Sequence, residues 1–121
     1  MPKKSMEHLT EPMFYVLMAF TVQPRCGIEA AQFIETWTQG RVQLGPATLY
    51  TILGKFEKEG YLRETAVEGR KRTYAITDKG KVAYLQEVTR LQACLNDARR
   101  LPPPTVPAGE EGGLSPAPSL A

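Results

Sequence analysis

The chain has 121 residues, 42% of them hydrophobic, with 15 Lys and Arg against 13 Asp and Glu and a formal net charge of +2. That length holds one ordinary domain, or a small domain and a tail, and its core is modest unless a partner subunit adds to it. The first 100 residues hold all 15 bases and 11 of the acids, a net of +4, which permits nucleic-acid binding without demonstrating it.

Several function classes fall away at once. The two cysteines, Cys26 and Cys94, make no CxxC pair, so neither a disulfide framework nor a zinc site is expected. The opening MPKKSMEHLT has no apolar core before a cleavage site, and no apolar run approaches the roughly 18 residues of a membrane span. A reduced, cytoplasmic setting without a membrane partner is the expectation. A Gly-rich phosphate loop, a nucleophile elbow, metal-ligand spacing and paired acids on one face are all missing, so no enzyme and no cofactor is expected. His8 stands alone near the terminus, without acid or cysteine partners at ligand spacing.

In chain order, residues 10–22 form a first helix. Met13, Phe14, Val16, Leu17, Met18 and Phe20 surround most of it, which predicts deep burial. Pro12 suits its first turn and Pro24 ends the segment. A second helix spans 28–38, with Ala30, Phe33, Ile34 and Trp37 at three- and four-residue steps. That spacing favours core packing for Trp37 over a ligand platform, and Gly40 closes the helix.

The third helix begins at Pro46, where the first turn lacks amide partners anyway, and stops at Gly60. Leu49, Ile52, Leu53 and Phe56 share one face. At about 100° per residue the opposite face carries Ala47, Tyr50, Thr51, Gly54, Lys55 and Lys58. Gly54 costs this helix roughly 1 kcal/mol relative to Ala and lets its backbone approach a surface closely. Tyr50 points away from the apolar face, toward DNA contact or toward packing on the neighbouring helix.

Residues 61–67 and 72–76 are rich in β-branched and aromatic side chains, with Glu68-Gly69 between them, which predicts a hairpin. Arg70, Lys71 and Arg72 follow at its tip. Alone they read as a solvated turn; beside a helix-turn-helix they read as a phosphate-contacting wing. Thr77 caps a last helix that runs to Arg99-Arg100. Tyr84, Val88, Leu91, Leu95 and Ala98 step by 4, 3, 4 and 3, a heptad seam that predicts dimerisation and would bury Cys94 beside it. Leu85, next to the seam, is free to face the rest of the domain. From Leu101 the text is Pro-, Gly- and Ser-rich without periodicity, which predicts a disordered tail.

The order helix, helix, helix, hairpin, helix predicts a mainly α fold with a small β hairpin: a winged helix-turn-helix plus a C-terminal dimerisation helix. The expected units are a DNA-binding domain over 1–76, a dimerisation helix over 77–100 and the tail over 101–121. Helix 46–60 would enter a major groove and the 68–72 wing would hold flanking phosphates. Winged helices also serve protein–protein contact alone, which the mild charge keeps as the second reading.

Five stretches carry a resemblance. They are LTEPMFYVLMAF at 9–20, the glycine of CGIEAAQFI at 26–34, GRVQLGPATLYTIL at 40–53, FEKEGYL at 56–62 and GRKRTYAITDKG at 69–80. Residues 9–91 thereby resemble the PadR-like family of bacterial transcriptional regulators, in its short form. The resemblance implies a homodimeric DNA-binding protein, commonly a repressor, with a double-stranded DNA operator, a second copy of itself and an unidentified small-molecule effector as partners. It places Thr48, Tyr50 and Lys55 in the recognition helix and Arg70 and Lys71 in the wing. With the residue reading, the expected DNA-binding set is Thr48, Tyr50, Thr51, Lys55, Lys58, Arg70, Lys71 and Arg72, and the expected dimer set is Tyr84, Val88, Leu91 and Leu95. The chain departs from the family at Cys26, where histidine is usual, and at Thr51 and Gly54, where Arg or Lys is frequent.

Overall fold

The structure is a computed structural model that describes residues 8–108. These form four helices, α1 (Glu11–Ala19), α2 (Gly27–Trp37), α3 (Pro46–Glu59) and α4 (Asp78–Arg99), and three strands, β1 (Arg25–Cys26), β2 (Leu62–Glu68) and β3 (Lys71–Ile76). No helix among the described residues is long and apolar enough to cross a membrane.

The Thr10 hydroxyl accepts the Met13 amide at 3.3 Å and opens α1. The helix stops three residues earlier than expected. The Thr21 amide and hydroxyl both turn back to the Met18 carbonyl, at 3.1 and 2.8 Å. Met13, Val16, Leu17 and Ala19 are buried, whereas Phe14, Tyr15 and Met18 are half-buried.

The sheet has the order β1-β3-β2 and is antiparallel throughout. The expected hairpin is therefore part of a three-stranded sheet. Arg25 pairs with Tyr74 and Cys26 with Thr73, and two residues are too few to show alternation in a sequence. Glu68 pairs with Lys71, so Gly69-Arg70 make the turn, one residue later than the sequence suggested. A bulge at Thr65 bends β2, and the Thr65 hydroxyl donates to the Thr73 carbonyl at 3.3 Å.

The core lies where α1, α2 and α3 meet β2 and β3. Val16, Leu17, Phe20, Ile34, Leu53, Phe56 and Leu62 are its largest fully buried side chains. The four residues expected on the inner face of α3 are all buried.

Trp37 is a correction. It is 68% exposed and stacks on Phe33, with ring centroids 5.6 Å apart. The last buried residue of α2 is Ile34, about one turn earlier, so the helix has left the core by Trp37. The Arg25 guanidinium lies 4.4 Å from the centre of the Phe33 ring and donates through Nε to the Ala19 carbonyl at 2.6 Å.

The N-terminus of α4 is fastened to the end of α3. The Thr77 hydroxyl accepts the Gly80 amide at 3.0 Å and donates to the Gly60 carbonyl at 2.6 Å. The Thr77 amide donates to the Tyr61 carbonyl at 2.9 Å, and Lys79 Nζ donates to the Glu59 carbonyl at 2.8 Å. Those to Glu59 and Gly60 satisfy carbonyls that the end of α3 leaves without helical partners.

Further along α4, Tyr84 stacks on Phe14 at 5.5 Å. Glu87 is buried and accepts a hydrogen bond from Arg90 Nε at 3.0 Å. That guanidinium, with smaller help from His8 and the Leu9 amide, holds the Glu87 carboxyl below the usual carboxylate range. Leu85, which the sequence left free to face the domain, is exposed; Ala83 and Tyr84 pack against the core instead. Residues 101–108 form no helix or strand. The rest of the expected tail, 109–121, lies outside the described residues.

Candidate nucleic-acid interface

A Schellman-type ending of α2 sets the direction of α3. Gly40 donates to the Glu35 carbonyl at 2.8 Å and Gln39 to the Thr36 carbonyl at 3.1 Å. Gln39 itself takes the left-handed conformation, φ 55°, followed by Gly40 at 79°. The Thr38 hydroxyl then accepts the Val42 amide at 3.0 Å, and Arg41 Nη2 donates to the Tyr15 hydroxyl at 2.7 Å. The chain is thus steered across α1 before Gly45-Pro46 starts α3.

Ala47, Thr48, Tyr50, Thr51, Gly54, Lys55 and Lys58 are all exposed on α3. They do not form one patch. Thr48, Thr51 and Lys55 border a shallow groove against the first turn of α1, at Thr10, Pro12 and Met13. Tyr50 and Gly54 border a larger cleft of about 760 Å³, whose opposite wall is the wing at Arg70, Lys71 and Arg72. Lys58 stands on neither.

The wing cations are not equivalent. Lys71 Nζ lies 3.8 Å from a Glu29 carboxylate oxygen and Arg72 Nε lies 3.5 Å from Glu64. Arg70, at the turn, forms no ion pair among the described residues. Glu29 also accepts the Cys26 amide at 2.8 Å, which closes the first turn of α2. That hydrogen bond, with smaller contributions from Lys71 and Arg25, lowers the Glu29 carboxyl from its ordinary value. Glu29 and Glu57 both border the cleft, and the sequence reading singled out neither. Both are exposed, and only the fold brings them to the same cleft as the wing cations.

Tyr50 packs on the neighbouring helix, one of the two roles expected of it, and still keeps an open side. It is 53% exposed, yet its ring lies across the start of α2 at Gly27. A Cβ on Gly27 would sit 3.0 Å from Tyr50 Cε1 and 3.1 Å from its hydroxyl oxygen. The glycine of the CGIEAAQFI stretch is therefore the seat of the Tyr50 ring.

An α2–turn–α3 unit backed by a small sheet, with a basic hairpin facing the outer edge of α3, defines a winged helix-turn-helix protein. The profile of the transcriptional regulator PadR-like family matches residues 16–86, and the chain belongs to that family of DNA-binding regulators. An uncharacterized protein of Lysinibacillus sphaericus is 33% identical over 79 residues, covering 62% of this chain and 72% of its own. A transcriptional regulator from Clostridium thermocellum superposes with a TM-score of 0.66 at 23% identity, over 74% of this chain and 90% of that one. A PadR family regulator from Clostridium difficile gives 0.63 at 13% identity, over 73% and 94%.

Proposed function

We propose that the protein acts as a homodimeric repressor, with α3 in the major groove of an operator and the wing on the flanking phosphates. One observation carries the DNA half of this reading. The outer edge of α3 and Arg70–Arg72 border a single cleft, so one duplex can meet both. Thr48, Tyr50 and Thr51 supply hydroxyls to base edges or phosphates, and Lys55, Lys58, Arg70, Lys71 and Arg72 neutralise phosphates. Such a regulator works in the cytoplasm beside its DNA. A small-molecule effector would relieve binding by changing the angle between the two copies.

Fluorescence anisotropy with a labelled duplex from upstream of the protein's own gene tests this. Tight, salt-sensitive binding that a scrambled duplex cannot compete away is expected; binding that ignores salt would sink the DNA reading. Gly27→Ala should displace the Tyr50 ring and weaken that binding about tenfold, the scale of one good base contact. If Gly27→Ala binds as the wild type does, Tyr50 does not need that seat.

The dimer half rests on α4. Val88, Leu91 and Leu95 lie exposed on one face, and every residue from Leu91 to Arg99 is exposed in the single chain. Tyr84 is half-buried and stacked on Phe14, so only part of it is left for a second copy. The pair Leu91→Glu and Leu95→Glu should leave the fold intact and convert a dimer to a monomer in sedimentation equilibrium. A wild-type mass equal to the 13.4 kDa of one chain would end the dimer proposal.

A further inference from the structure

Gly54 breaks a local rule without a reason inside this chain. It sits in the third turn of α3, in an exposed helix interior, where glycine weakens a helix relative to alanine. Its backbone is ordinary helix, with no positive φ to accommodate. A Cβ built on it would meet nothing within 4 Å. Gly80 and Gly27, the other glycines inside helices, both have neighbours that a Cβ would touch. Residues that contradict local preference with no compensation inside the fold are expected where function places the demand.

The surroundings say what that demand is. Gly54 borders the cleft between α3 and the wing, with Tyr50 one turn before it and the three wing cations across from it. A helix lying in a major groove and a wing beyond its edge are separated by one sugar-phosphate strand. We propose that this cleft seats that strand and that Gly54 is a positioning residue, whose missing side chain sets how deeply α3 enters the groove. The proposal rests on the DNA reading above. It also gives Glu57 a role: one turn along from Gly54 on the same wall, its carboxylate opposes the phosphates and keeps affinity below its ceiling.

The test compares wild type, Gly54→Ala, Gly54→Lys and Glu57→Gln on the own-upstream duplex and its scrambled counterpart, by anisotropy at about 50 mM salt. Urea unfolding of each variant runs alongside. Gly54→Ala should raise the unfolding midpoint yet weaken duplex binding about tenfold. Gly54→Lys is the sharper variant: it supplies the kind of cation that is frequent at this position in the family, whose charge alone would strengthen binding, and it should still weaken binding if depth of entry is what position 54 sets in this chain. Glu57→Gln should tighten binding to both duplexes by about threefold, the value of one partly screened charge. Gly54→Ala or Gly54→Lys binding as tightly as wild type overturns the proposal and leaves the DNA reading standing. Wild-type protein that binds neither duplex overturns both. Unchanged affinity in Glu57→Gln, with both Gly54 variants weakened, removes the phosphate strand from the cleft and so overturns the seating.

Discussion

Gly80→Ala is expected to lower folding stability by about 3 kcal/mol, the upper part of the range for overpacking. A Cβ there would collide with the Tyr61 carbonyl oxygen and lie within 2.8 Å of Ile76 Cγ1. Backbone stands on one side and a packed side chain on the other, so neither can yield cheaply. The same carbonyl accepts the Thr77 amide, so moving it breaks the bonds that hold α4 to the end of α3. Urea unfolding measures the loss, and a thermal midpoint lower by about 15 °C should accompany it. Gly54→Ala is the internal contrast: the same substitution in another helix should gain up to about 1 kcal/mol. If Gly80→Ala unfolds at the wild-type midpoint, the close approach of α4 to Tyr61 is not a constraint.

The second large effect belongs to the wing. Changing Arg70 and Lys71 together to Ala should weaken binding to every duplex, specific or scrambled, by about ten- to a hundredfold at low salt. The slope of log affinity against log salt should flatten by about 0.9 for each phosphate that the wing ceases to neutralise. The two residues should not share this equally. Lys71 must leave Glu29, 3.8 Å away, to reach DNA, whereas Arg70 has no ionic partner to give up among the described residues. Arg70→Ala alone should account for most of the change. An unaltered salt slope in the double variant would remove the wing from the mechanism.

How much of this could be read in advance depended on range along the chain. Both ends of α3 were legible because Pro46 and Gly60 act on the backbone within a turn, and its inner face because Leu49, Ile52, Leu53 and Phe56 repeat at helical spacing. The same spacing misled at Trp37, because periodicity gives a face but not where the core beneath it ends. β1 carries no local signal; β3 makes it a strand. Glu87 reads as a surface acid, and only α4's docking beside Leu9 buries it with Arg90 as its partner. In the candidate interface, residue type alone nominated the side chains. That Arg72 and Lys71 are already engaged by Glu64 and Glu29, and that Gly27 cradles Tyr50, depends on the meeting of distant segments.

The fastening of α4 to the end of α3 has a mechanical meaning. Thr77 and Lys79 tie the root of a 22-residue rod to the end of α3. At 1.5 Å per residue the rod is about 33 Å long, so a tilt of about 5° at its root swings its far tip by about 3 Å. In the proposed pair the tips are clasped, and the lever works in reverse: a small shift between the rods re-aims both reading helices together. Half-sites about 34 Å apart would then be gauged as an angle, with the Thr77–Gly80 joint as the hinge pin that must not slip.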